Sequence, residues 1–284
     1  MPILGHTRSK GEALGGVNIL SKIYAYIYLR GFRVWYSYKT QAVLTLVSWV
    51  LPVFTYYFTG TALGDSLVSN LGAGNYTAYL VIGLAFQGYV ASTITTASQR
   101  LRNEQLYGTI EYYVLAPSGA LSFLIYTMMW GLVMNSISAI VILLVGIALG
   151  VTYTLSGTLI ALVLISLLMF SSFGLAALSG AVVMVTKQGN PISVFYSTVS
   201  TLLGNVVFPV AVLPYYLRLV SYSLPLTWAL QGLREALLYG QGFSTIFPDI
   251  LIMLLFVAVL VPLGTYAYIA AFNKARKDGT LSQY

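Results

Sequence analysis

The spacing of charged side chains constrains this chain more than any other feature. Only 7% of its 284 residues are Asp, Glu, Lys or Arg, and they leave charge-free runs over residues 40–64, 66–99, 112–186, 188–217 and 250–273. Soluble domains carry about 25% charge. A helix crosses the roughly 30 Å hydrocarbon core of a bilayer with about 20 apolar residues. Four of these runs therefore supply one span each, and residues 112–186 supply two with a turn between them. The chain reads as an all-α, polytopic membrane protein with six transmembrane helices.

Several function classes drop out on composition. The net charge of +7 does not point to nucleic acid, because the basic residues sit at span ends, where membrane topology requires them. The chain has no cysteine, which removes disulfides, thiolate metal sites and cysteine nucleophiles. Its single histidine, His6, lies in a polar, glycine-rich stretch and cannot form a histidine cluster for catalysis or metal binding. Residues 1–18 lack the apolar core of a signal peptide and are expected to form a flexible N-terminus. An intramembrane enzyme would need paired carboxylates, a histidine or a metal cluster, and the acids here are scattered at loops. No ionisable residue falls inside any expected span, which counts against proton coupling, since an intramembrane charge is costly and marks function. Sodium sites built from carbonyls and hydroxyls stay open, so an ion-coupled secondary transporter remains an alternative. Nothing resembles G-x-x-x-x-G-K-[ST], so the chain does not cradle nucleotide phosphates itself.

In chain order, residues 19–39 are amphipathic. Lys22, Arg30 and Arg33 fall in one narrow sector of a helical wheel, with Leu20, Tyr24, Ile27, Tyr28, Gly31, Trp35 and Tyr38 opposite. Such a helix lies in the membrane interface with its rings at the headgroup level, or packs on a neighbouring soluble protein. The transmembrane domain is residues 40–273, with spans at 40–59, 77–99, 120–149, 158–186, 192–212 and 250–272. Pro52 reads as a tolerated kink in the first span. The hydroxyl-rich residues 92–98 either bond their own helix's carbonyls or face a wet cavity. Asn135, alone among the apolar residues of the third span, reads as glue between helices.

Between Arg218 and Arg234 the charge-free stretch is too short to cross, and Pro225 interrupts it. Residues 213–240 should therefore dip into or lie on the outer leaflet and return to the same side, as an external re-entrant segment carrying Arg218, Arg234 and Glu235. Neighbours on a helix point in different directions, so Arg234 and Glu235 are each expected to meet water, headgroups or another segment at the outer mouth. Neutralising either is then expected to alter transport modestly. Residues 274–284 form a cytoplasmic tail. With both termini inside, twelve of the fourteen Lys and Arg residues lie on the inner side and only Arg218 and Arg234 lie outside, the bias that the positive-inside rule demands.

Residues 100–118 are a water-facing island between spans. Arg100, Glu104 and Glu111 are spaced four and seven apart, so a helix would carry them on nearly one face, with Gly108 loosening it and Pro117 ending it. A short solvated loop helix would look the same. The pattern Glu104-x-x-x-Gly108-Thr109-Ile110-Glu111, followed by Ala116-Pro117-Ser118, resembles the E-x-x-x-G-T-L-E … P-V-S segment of type-2 ABC exporter permeases, a class that includes daunorubicin-resistance and nodulation-factor exporters. The match covers Glu104, Gly108, Thr109, Glu111 and Pro117 and departs at Gly119. A second stretch, Gly204 … Phe208-Pro209 … Leu213-Pro214 … Leu224-Pro225 … Leu233-Arg234 … Leu237, resembles the end of that family's fifth span and its external re-entrant helices.

The resemblance implies that Arg100, Arg102, Glu104, Gly108, Thr109 and Glu111 form a coupling helix docking on an ABC ATPase subunit. ATP and Mg would then belong to that partner, and this chain would hold no cofactor. It also implies a second permease copy, identical or not, with substrate passing along the dimer interface between spans two and five. Gln87, Thr93, Thr96, Asn205 and Phe208 are the candidate pathway residues. The daunorubicin-like segment favours an amphiphilic drug, peptide or lipid-like substrate; a polysaccharide or lipid-linked glycan is the alternative, for which the twenty-three tyrosines could line a path. Membrane lipids are the remaining expected partner, and nucleic acid is not one.

Overall fold

A computed structural model describes residues 24–63, 76–110, 119–186 and 190–279, and every regular element among them is helical. A π-helical segment, Ala25–Phe32, leads into α1 (Arg33–Ser37), and the long helices α2 (Lys39–Leu63), α3 (Tyr76–Leu106), α4 (Gly119–Ala148) and α5 (Thr158–Thr186) follow. After these come α6 (Asn190–Leu203), a 3-10 turn (Val210–Val212), α7 (Tyr215–Tyr222), α8 (Pro225–Leu237) and α9 (Phe243–Lys277). Five helices are long and apolar enough to cross a membrane: Lys39–Thr61, Tyr76–Leu106, Ser122–Ala148, Thr158–Thr186 and Phe243–Lys277. The chain is a multi-pass membrane protein.

α3 stands at the centre, packed by α2, α4, α5, α6 and α8. Its buried residues follow one another without a polar break from Ala78 to Phe86, and a helix apolar all round belongs inside a bundle. α5 packs most extensively on α9, and glycines explain how. A Cβ at Gly264 would sit 2.2 Å from the Gly174 carbonyl oxygen, and one at Gly174 would sit 2.5 Å from the Leu260 backbone. The two backbones touch, the contact that small residues permit between membrane helices. The hydroxyl-rich part of α3 bonds mostly within the protein: Thr93 donates to the Tyr89 carbonyl at 2.5 Å and Thr95 to the Ala91 carbonyl at 2.9 Å. Ser98 meets Ser179 of α5 at 2.8 Å, and Asn135 of α4 donates to Ser92 and to the Gly131 carbonyl.

Several expectations change. The fifth span, expected over residues 192–212, is helical only to Leu203; Gly204 ends it and Asn205 takes a left-handed φ of 62°. Pro225 does not interrupt a helix but opens α8 at its first turn, where its missing N–H costs nothing. The second span does not stop at residue 99. α3 continues to Leu106, 31 residues in all or about 46 Å, so Arg100, Arg102 and Glu104 are its last turns. α9 begins earlier than residue 250 and takes in Asp249, which is 3% exposed, so one span does contain an ionisable residue. The amphipathic segment is described from residue 24 onward. There Tyr24, Tyr28, Phe32 and Tyr36 stack in succession on an exposed edge, while Gly31 lets Trp130 of α4 come close.

Hydrogen bonds gather several chain ends at one face. Thr154, in the turn between α4 and α5, donates its N–H to Leu237 of α8 at 2.8 Å and its hydroxyl to the Ala236 carbonyl at 2.9 Å. The first turn of α3 meets the chain beyond α6 through Tyr76 and Tyr79. The other end of α3, at Leu106, lies one helix length away.

Candidate functional site

The gathering point is a buried arginine. Along α8 the apolar positions Leu226, Leu230, Leu233 and Leu237 recur at helical spacing, and Arg234 shares their stripe. It is 5% exposed. Its Nη2 donates to the carbonyls of Asn205 at 2.8 Å, Tyr79 at 3.1 Å and Val206 at 3.3 Å, and its Nε donates to Tyr79 at 3.3 Å. The guanidinium also lies 3.5 Å from the centre of the Tyr79 ring, a cation–π contact. Burial pushes its pKa down to about 10, which leaves it charged at neutral pH. None of its bonded partners is a carboxylate.

The local sequence accounts for this arrangement. A helix end leaves carbonyls without intrahelical partners, and the break after Leu203 creates several. Ser221 of α7 donates to the Leu203 carbonyl at 2.5 Å, and Arg234 collects those of Asn205 and Val206. Asparagine tolerates the left-handed conformation better than most residues; its side-chain oxygen accepts the Tyr79 hydroxyl at 2.5 Å. Gly83 gives the chain room, since a Cβ there would lie 2.3 Å from the Val206 carbonyl oxygen and 3.0 Å from Arg234 Nη2. Around this node lies a cavity of about 300 Å³ that Tyr79, Asn205, Tyr222, Gln231, Arg234 and Glu235 help to line. Glu235 is half-buried, and burial raises its carboxyl pKa against the opposing hydrogen bond from Gln231. Arg218 is elsewhere and exposed: it caps the turn before α7, donating to Leu213 and Ala211 carbonyls at 2.6 Å each.

At the other end of α3 the Glu104-x-x-x-Gly108-Thr109 segment of the island becomes a turn. α3 stops at Leu106, and Gly108 takes a φ of 69°. That reversal returns the Thr109 hydroxyl to Glu104, where it donates to the carboxylate and lies 3.4 Å from the Glu104 carbonyl. Nothing stands within 4 Å of a Cβ built at Gly108, so glycine is required there by conformation rather than space. Leu101, Gln105 and Ile110 are buried beneath this end; Arg100, Arg102 and Glu104 are half-exposed, and Tyr107 is 78% exposed. Glu111 and Pro117 lie outside the described residues, so the single helical face expected for Arg100, Glu104 and Glu111 is described only as far as Ile110, beyond the helix end at Leu106.

The candidate pathway residues do not converge. Gln87, Thr93 and Thr96 lie along α3; Thr93 is buried and bonded to its own helix, Thr96 packs against Gly131, and Gln87 keeps a buried oxygen without a hydrogen-bond partner. Phe208 is 42% exposed. Asn205 alone of the five joins the Arg234 node. Tyr79 and Gly83 are the residues that sequence reasoning passed over. The signal for Arg234's burial was the leucine stripe that contains it, whereas nothing in the sequence pairs Tyr79 with a residue 126 positions away.

A search of curated proteins found no match. The model of the family described as ABC-2 type transporter matches residues 27–238, a segment that runs from the aromatic lead-in through α8 and contains both sites. The chain belongs to that family, as the transmembrane permease component of an ABC transporter.

Proposed function

We propose that this permease exports an amphiphilic substrate, drug, peptide or lipid-like, by alternating access, driven by a separate ABC ATPase that binds ATP and Mg and docks at the Leu106 end of α3. Arg100, Arg102, Glu104, Gly108, Thr109 and Glu111 form the docking surface. Two permease copies, identical or different, enclose the substrate path, with α3 and the α6 segment on its walls. The chain crosses the membrane six times, with α6 and residues 204–209 together making the fifth crossing. α7 and α8 are the external re-entrant pair, and both termini are cytoplasmic. The hydrogen bonds that tie the α4–α5 turn, the start of α3 and the end of α8 to one face support this parity.

The observation that carries the reading is the turn ending α3. A helix of about 46 Å starts at the Arg234 node and finishes where Gly108 and Thr109 fold back on Glu104. A rigid rod of this kind transmits a push at one face to the other. Tyr222 and Tyr239, exposed beside the node cavity, favour one second reading, glycan export, because ring faces suit sugars.

The test is co-purification of a candidate ABC ATPase with this permease, together with substrate-stimulated ATP hydrolysis in liposomes. Truncating one partner of a desolvated charge pair at an interface costs about 2 to 5 kcal/mol. Glu104→Lys and Thr109→Val should therefore leave the permease inserted but weaken ATPase capture or uncouple hydrolysis from transport. Wild-type capture and transport in both variants would make the turn an ordinary solvated loop.

A further inference from the structure

The node cavity holds a charge without a counter-ion. Arg234 is bonded to carbonyls and to Tyr79, not to a carboxylate, and its Nη1 is buried with no hydrogen-bond partner. Buried cations in proteins are ordinarily paired, and an unsatisfied buried donor calls for an explanation, an absent ion or ligand among them. Arg234 forms part of the wall of a cavity of about 300 Å³ whose lining mixes polar and apolar groups. Glu235 stands on the same wall and is held by Gln231 rather than by the guanidinium. The cavity thus presents one positive and one negative group that do not neutralise each other.

We propose that this cavity is a headgroup subsite that takes a zwitterionic phosphodiester, its anionic phosphate against Arg234 and its ammonium against Glu235 and Gln231. A phosphodiester carries a single negative charge and matches the single guanidinium, and Arg is the side chain best shaped for phosphate oxygens. A dianionic phosphate is disfavoured by the neighbouring carboxylate, and an uncharged sugar would leave Arg234 uncompensated. Tyr222 and Tyr239 supply amphipathic walls at the cavity edge, and Tyr239 is 58% exposed, which suits a ligand whose chains remain in lipid. That the bound amphiphile is also the exported one rests on the export reading above; the binding itself does not.

The experiment is calorimetric titration of the purified full-length chain, in phospholipid-free detergent, with dihexanoyl phosphatidylethanolamine, dihexanoyl phosphatidylglycerol and inorganic phosphate. Saturable binding of the ethanolamine lipid is expected, at least tenfold tighter than the glycerol lipid, with no competition from phosphate at equal concentration. Glu235→Gln should bring the two lipids within about twofold of each other, and Arg234→Gln should weaken both at least tenfold. If Arg234→Gln fails to fold, the Glu235→Gln titration decides alone. No saturable binding, equal binding of the two lipids to the wild type, full competition by phosphate, or unchanged preference in Glu235→Gln would each overturn the subsite. ATPase capture is measured separately, so a chain that binds the lipid but captures no ATPase overturns the export reading and leaves the subsite standing.

Discussion

Arg234 combines two roles that are separable by substitution. As a fold element it satisfies two carbonyls released where α6 ends, those of Asn205 and Val206, and ties them to the Tyr79 carbonyl of α3; charge-assisted hydrogen bonds contribute about 1.5 to 3 kcal/mol each, with orphaned buried carbonyls adding to the loss. Arg234→Met is expected to cost about 3 kcal/mol or more, read as a lower denaturation midpoint in detergent. Its burial argues for a larger effect than the modest change in transport expected from the sequence. Glu235, half-exposed, keeps that expectation. Gly83→Val should resemble Arg234→Met, because its Cβ would occupy the space of the Val206 carbonyl. Normal stability in both variants would mean the node does not hold the broken segment in place. Arg234's position on a leucine stripe was visible in the sequence, but a stripe does not name the carbonyls it faces, because those belong to chain segments far away in sequence.

The helices divide by how closely they pack. α5 and α9 cross backbone to backbone at Gly174 and Gly264, while α2 is buried over only 6% of its membrane window and leaves Leu44, Leu51 and Phe58 exposed. Overpacking a tight contact costs about 1 to 3 kcal/mol, so Gly264→Val should lower the denaturation midpoint clearly, whereas Leu51→Val on the exposed side of α2 should not. Equal effects would show that the α5–α9 crossing is not a stability hinge of the bundle. Helix ends, in contrast to helix interiors, were poorly legible. Charged residues marked residues 100–118 as a separate island, yet α3 runs on through Arg100, Arg102 and Glu104. These side chains have good helix propensity and no breaker stands among them before Gly108.

At the scale of the whole molecule, the absence of native cysteine makes topology directly measurable. Single cysteines at Ser69, Ser156 and Ser244 should react from outside with an impermeant thiol reagent, and one at Ser282 should not; outside labelling of Ser282 would sink the six-crossing arrangement. Membership of the bilayer class, the number of apolar runs and the basic ends of the spans were determined by the sequence alone. Apolar run length against bilayer thickness, and the cost of placing charge in hydrocarbon, act on each segment independently of its neighbours. The turn at Gly108 and Thr109 needs only the residues around it, yet the sequence reads there as a helix loosened at Gly108 and ended by Pro117. Where α6 breaks, which carbonyls Arg234 takes, how Asp249 comes to be buried beside α8 and where a cavity opens were decided by tertiary structure. These features depend on backbone groups brought together from α3, α6 and α8, and hydrogen-bond partners separated by 126 to 155 residues leave no periodic trace in a single sequence.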